Sequence, residues 1–218
     1  MLTRLPKSNP SMKTKLSSIA AAIILAFVLA TSATAQSPAI QSFTGGSNIG
    51  TIGGLTLGWS FIPNQNLSVS ALGWHTGNAL GEPVGIWTGN GSTLLGQVTV
   101  TGAFTVGAFA YNNLGTPIFL TAGQTYLIGG LANSGSAAIA VATGITTNPF
   151  VTYLQGQAAN TGVLTAPTAP QGPGSWFGPN FIATGLPEGS STLVLLGLGV
   201  LGLLVWQRKI SAVGETKS

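Results

Sequence analysis

Between Gln36 and Leu186 the sequence holds one histidine, His75, and one carboxylate, Glu82, with no lysine or arginine; aspartate and cysteine are missing from the whole chain. Glycoside hydrolysis in its usual form needs two carboxylates, one to protonate the leaving oxygen and one to serve as base or nucleophile. A serine-histidine-acid relay would have to join His75 and Glu82 to one of many serines or threonines, and no nucleophile-elbow pattern accompanies them. Zinc sites draw on three or four Cys, His or carboxylate ligands and calcium sites on several carboxylates. The inventory therefore points away from an enzyme, and no metal or cofactor is expected. His75 follows Trp74 at the end of a strand-like run and reads as an edge or loop histidine. Glu82 precedes Pro83 and reads as a solvated loop residue, since charged groups favour water.

The tryptophans are the remaining candidates for recognition. Exposed indoles stack on sugar rings, whereas buried ones fill cores. Trp59 lies on the apolar face of its run and reads as core. Trp176, beside a Pro/Gly-rich loop, and Trp74 are the candidate glycan contacts. Asn66-Leu67-Ser68 and Asn90-Gly91-Ser92 have N-glycosylation spacing and read as ordinary turns.

The elements that carry these residues are strands. From Gln36 to Ala183 glycine recurs every few residues and no long stretch keeps apolar residues at helical spacing. Leu55, Leu57, Trp59 and Phe61 alternate with Thr56, Gly58 and Ser60, which predicts a strand with one buried face. Pro63-Asn64-Gln65-Asn66 is a turn, and Leu67, Val69 and Ala71 begin the return strand. The apolar phase then flips at Leu72-Gly73-Trp74, which predicts a β-bulge near Gly73. Further strands are expected over Pro83–Trp87, Leu94–Thr101, Phe104–Tyr111, Pro117–Leu120, Thr125–Gly129, Ala137–Ala142, Phe150–Leu154 and Phe177–Ile182. Turn signals stand at Thr88–Gly91, Thr121–Gln124 and Asn133–Gly135. Thr165–Gly174 is expected as a surface loop. The fold class is all-β, an antiparallel β-sandwich of jelly-roll or immunoglobulin-like kind over residues 36–186.

The formal net charge is +4 over 218 residues, but Arg4, Lys7, Lys13 and Lys15 precede the first apolar run and Arg208, Lys209 and Lys217 follow the last. A nucleic-acid surface needs clustered Lys and Arg, and residues 36–186 have none.

The two ends read as addresses. A basic stretch to Lys15, an apolar run from Ile19 to Ala30 and the small-residue site Ala33-Thr34-Ala35 form the three-part pattern of a signal peptide over residues 1–35, cleaved before Gln36. Met12 opens an equally sufficient basic region. Thr192–Trp206 is a Leu, Val and Gly run short for a bilayer span, and the Arg208-Lys209 pair after it keeps residues 210–218 cytoplasmic by the positive-inside rule, leaving the β domain outside. Gly197, Gly199 and Gly202 spell the dinucleotide fingerprint, but inside a membrane run, not in a βαβ unit, so the match is rejected.

Leu186-Pro187-Glu188-Gly189-Ser190-Ser191-Thr192-Leu193, the apolar run and Arg208-Lys209 together resemble the PEP-CTERM sorting signal, here over residues 187–209. It departs from that signal in having Gly189-Ser190 at the second proline and a tail beyond the basic pair. The resemblance implies an exosortase-like processing enzyme as partner, association with exopolysaccharide, and Pro187, Glu188, Arg208 and Lys209 as the sorting residues. A second resemblance rests on Phe61-Ile62-Pro63, Val69–Trp74, Glu82–Trp87, Thr93-Leu94-Leu95, Thr116-Pro117-Ile118, Leu120–Tyr126 and Phe177–Phe181. In that order they look like the uncharacterised extracellular β-sandwich domain found ahead of such tails, which implies a fold and a location and no activity. The expected function is that of an exported cell-surface or matrix protein of structural or interaction type. A non-catalytic carbohydrate-binding module is the alternative.

Overall fold

The computed structural model describes residues 35–50, 53–75, 81–101, 108–132, 137–140, 142–172 and 178–187, with 199, 202 and 203. Residues 35–187 belong to one unit. Gly199, Gly202 and Leu203 are helical; residues 1–34 of the expected signal peptide and the rest of the expected membrane segment lie outside the described residues.

The unit is all-β. Its strands are β1 (Ser37–Pro38), β2 (Ile40–Thr44), β3 (Ser47–Gly50), β4 (Leu55–Pro63), β5 (Leu67–His75), β6 (Glu82–Thr88), β7 (Leu94–Val100), β8 (Phe109–Leu120), β9 (Tyr126–Ala132), β10 (Ala137–Ala140), β11 (Thr143–Thr147), β12 (Val151–Asn160), β13 (Ala169–Gly172) and β14 (Pro179–Gly185). A four-stranded sheet has the order β1-β14-β5-β8, and a six-stranded sheet the order β13-β12-β4-β9-β6-β7. Two-stranded pairs, β10-β3 and β11-β2, complete the set, and each pairing is antiparallel.

One core lies between the two larger sheets. Leu57, Trp59 and Phe61 project from β4, Val84 and Ile86 from β6 and Ile128 from β9; Leu67, Val69, Leu72 and Trp74 of β5 and Phe181 of β14 meet them from the other sheet. Trp59 is the main crosspiece. Its ring stacks on Phe181 at 5.8 Å and 15° and lies 5.0 Å from Phe61, and its Nε1 donates to the Pro179 carbonyl of the opposite sheet at 2.8 Å. Trp74 also fills the core, but its Nε1 has no hydrogen-bond partner. Gly130 and Gly178 are needed beside it, because a Cβ at either would run into the indole.

Several expectations shift. The phase flip in β5 is real, but the extra residue is Ser70 and not a residue near Gly73: Val69 and Ala71 face Ala183 and Ile182 on one side and Ile118 and Asn113 on the other. Ser70 drops out of both ladders, so odd residues point inward before it and even ones after it. Pro117–Leu120 is not a separate strand but the end of β8, interrupted where Leu114–Pro117 leave the ladder. The loop expected over Thr165–Gly174 contains β13 and is partly a strap: Thr56 Oγ1 donates to Val163 O, Thr165 N donates to Thr56 Oγ1, and Pro167 is buried. The turn at Thr88–Gly91 is as expected, closed by Gly91 N donating to Thr88 O at 2.7 Å and by Asn90 Oδ1, which accepts from Ser92 N. Asn66 is likewise a turn residue, its Oδ1 accepting from Ala122 N.

Both indoles are fully buried, but only that of Trp59 donates a hydrogen bond, so equal truncations should cost unequal amounts. Trp59→Phe should destabilise the domain by about 1–2 kcal/mol more than Trp74→Phe, the cost of an unmade buried hydrogen bond. Paired denaturant titrations measure the difference; equal losses would show that the bond to Pro179 contributes nothing.

Candidate functional site

The sequence candidates fall into two groups, those at the ends of the domain and those inside it. At the ends, Ala35 and Gln36 are exposed and lead directly into β1, whose Ser37 and Pro38 face Ala183 and Ile182 of β14. Pro187 is exposed just after β14, and the preceding Leu186 N donates to Asn66 O at 2.8 Å. The chain thus enters and leaves on adjacent strands. β14 has a neighbour on each side, β1 and β5, so the strand that leads to the tail is held by two ladders. Ala33, Glu188, Arg208 and Lys209 lie outside the described residues.

The entering segment is fastened to β14 by Asn180, a residue that sequence reasoning missed. Asn180 is fully buried, and its Oδ1 accepts from Ile40 N at 3.0 Å while its Nδ2 donates to Ile40 O and to the Tyr111 hydroxyl, each at 2.9 Å. A buried amide must have its donors and acceptors met, and Ile40 meets them as a backbone strand would. Ala39 N adds a bond to Phe181 O. The available signal was an Asn inside the apolar run Phe177–Ile182, a polar residue where only a partnered one is tolerated. Burial raises the pKa of the Tyr111 phenol well above its ordinary value, outweighing the hydrogen bond from Asn180.

The interior candidates are corrected by their burial. His75 is not an edge or loop residue: it is 3% exposed at the end of β5, edge-on to Phe43 at 5.1 Å and to Phe109 at 4.9 Å. Glu82 is not a solvated loop residue. It opens β6 two residues before Val84 and four before Ile86, the same side of the pleat, and is 0% exposed. Strand register, not side-chain type, decides its environment. Trp74 cannot stack on a glycan, because it too is 0% exposed in the core. Trp176 lies outside the described residues.

A shallow depression of about 220 Å³ is lined by Leu55, Leu57, Ala158, Ala159, Asn160, Ala169 and Gln171. Its lining offers apolar groups and two amides and no ionisable side chain. Among the described residues no group of three or more His, Cys, Asp or Glu could hold a metal ion, and no helix is long and apolar enough to cross a membrane.

The raised Tyr111 pKa fixes a direction with pH. The stability it contributes is fully present below the unfolded tyrosine value near 10 and is lost as pH rises toward the higher folded value, at about 1.4 kcal/mol per pH unit. Melting curves at about pH 9 and about pH 11 should therefore show wild type losing more stability than Tyr111→Phe; equal losses would mean that the phenol is not buried in the folded domain. In comparisons with known proteins, no family model matches the chain and no curated protein matches it.

Proposed function

We propose that this is an exported, non-catalytic protein of the bacterial cell envelope: a β domain displayed outside the inner membrane, held by its C-terminal segment, and acting in structure or adhesion alongside exopolysaccharide. One observation carries the non-catalytic part. The only histidine and the only carboxylate between Gln36 and Leu186 are both buried, at 3% and 0% exposure, and the same span has no Lys or Arg. The domain therefore presents no formally charged side chain to solvent. General acid-base and nucleophilic chemistry needs positioned ionisable groups at a surface that substrate can reach.

The strand order supports the jelly-roll form of the sandwich over the immunoglobulin form. Taking β1, β4, β5, β6, β7, β8, β9 and β14 as one to eight, the sheets read 1-8-3-6 and 2-7-4-5, with β12 and β13 added beyond β4. That is the interleaved order of a double-sheet jelly roll.

Export and retention rest on the sequence of the two ends: the signal-peptide pattern with Ala33 and Ala35 before Gln36, and the PEP-CTERM-like segment with Pro187-Glu188 outside and Arg208-Lys209 inside. An exosortase-like enzyme would cut near Pro187-Glu188 and release the domain to the surface. The adjacency of β1 and β14 supports a tethered module, since both connections leave from one place in the sheet. The alternative, a carbohydrate-binding module, no longer has Trp74 and rests on Trp176; saturable polysaccharide binding abolished by Trp176→Ala would favour it.

Expressing the chain with and without residues 186–218 and fractionating the cells tests retention. The full chain should be found in membrane and surface fractions and the truncated one in the medium. Identical distributions would remove any sorting role from the tail. N-terminal sequencing of the exported form should begin at Gln36, and a start upstream of Ile19 would refute signal cleavage.

A further inference from the structure

Asn90-Gly91 is the only Asn-Gly pair in the sequence, and Asn90 is exposed in the turn between β6 and β7. Asparagine is among the chemically labile side chains, and a glycine after it leaves the backbone nitrogen unhindered, because glycine carries no Cβ. A base takes the proton of Gly91 N, and the nitrogen attacks Asn90 Cγ. The side-chain nitrogen takes up a proton and leaves as ammonia, closing a succinimide ring. Water then opens that ring at either carbonyl, giving aspartate or isoaspartate. Each product puts a carboxylate on a domain whose residues 36–186 carry no Lys or Arg and bury their one acid.

The folded turn holds both reacting groups apart. Gly91 N donates its proton to Thr88 O at 2.7 Å, and Asn90 Oδ1 accepts from Thr88 Oγ1 at 2.8 Å, Ser92 Oγ at 2.8 Å and Ser92 N at 3.1 Å. Thr88 is held in turn, its Oγ1 accepting from Thr93 N at 3.2 Å and its N donating to Thr93 O at 3.0 Å. The strap packs on the same spot. Gly91 sits at φ 74°, and a Cβ there would lie 2.7 Å from Thr168 Cγ2 and 2.9 Å from Ala166 Cβ. Bringing Asn90 Cγ onto Gly91 N means turning the side chain away from three donors and releasing the peptide from Thr88 O.

We propose that Asn90 is a gated modification site: the hydrogen-bonded turn blocks succinimide formation while the β6–β7 hairpin is closed, and Asn90 deamidates when the turn opens. Conversion then accumulates with the time the turn has spent open, since local opening precedes the reaction. The two products differ in consequence. Aspartate offers a carboxylate to the same three donors, so the hairpin can close again. Isoaspartate adds a methylene to the backbone and shifts Gly91 from Thr88 O and from its place against Ala166 and Thr168.

Protein isolated from cells making the full chain, held at mildly alkaline pH with one portion folded and one in guanidinium, gives both rates by peptide mass spectrometry. Chymotryptic cleavage after Trp87 and Leu94 isolates the turn, which trypsin cannot do without Lys or Arg. In wild type, deamidation at Asn90 should be at least about tenfold slower folded than denatured. Ser92→Ala and Thr88→Val each remove donors to Asn90 Oδ1 and should narrow that ratio roughly fivefold. Each variant's own denatured rate corrects for the changed neighbour, and circular dichroism checks that the β spectrum is kept. If Thr88→Val unfolds the domain, the exposed Ser92→Ala decides. Equal folded and denatured rates in wild type, or an unchanged ratio in folded Ser92→Ala, would overturn the proposal.

Discussion

A domain without cysteine, Lys or Arg and with its single carboxylate buried can rely on neither disulfides nor surface ion pairs, so packing between its sheets has to hold it. Trp59 is where that packing closes. Its indole stacks on Phe181 and donates to Pro179, both in the opposite sheet, and it sits beside Phe61 on its own strand. The geometry of β14 follows from this contact, and with it the position of the segment leading to the tail. The same strand carries Asn180, which fixes Ile40 and draws the N-terminal segment onto the sheet. The first and last strands of the β domain, β1 and β14, are adjacent because one strand serves both connections. Asn180 and Trp59 thus act as structural fasteners, directing donors or acceptors at the backbone of another strand.

This arrangement bears on function through what it leaves at the surface. Loops and edges carry amides, hydroxyls and apolar groups, while the ionisable groups that an enzyme would deploy are enclosed. His75 sits between aromatic rings and Glu82 begins a strand that runs into the core. A neutral surface gives little long-range attraction or repulsion, so encounters with other molecules depend on short-range hydrogen bonds and apolar contact. Such a surface suits a module that works through short-range contacts rather than through charge.

Much of the fold was legible because its central strands obey a period of two. The runs around Trp59, Ile86 and Val98 alternate cleanly, and the turns between them carry Gly, Asn and Pro where turn geometry asks for them. What stayed hidden has specific causes. β2 and β11 are rich in Ser, Thr and Gly, and their pairing joins residues about a hundred positions apart, which no local pattern encodes. The flip of phase in β5 was visible, but alternation alone could not say which residue is extra; only the ladders to β14 and β8 single out Ser70. His75, Glu82 and Trp74 were misjudged for different reasons: register carries Glu82 to the core side with Val84 and Ile86 and turns Trp74 inward after Ser70, whereas His75 lies on the other side of β5 and is covered there by Phe43 and Phe109.

The account makes the β domain independent of the address segments at either end: its core, its fasteners and its sheet order are all built from residues 36–186. Far-UV circular dichroism of that fragment, recorded through a thermal melt, tests this most directly. The account predicts a predominantly β spectrum with negligible helix and a single cooperative transition. Substantial helix, or a spectrum that fades without a transition, would contradict it.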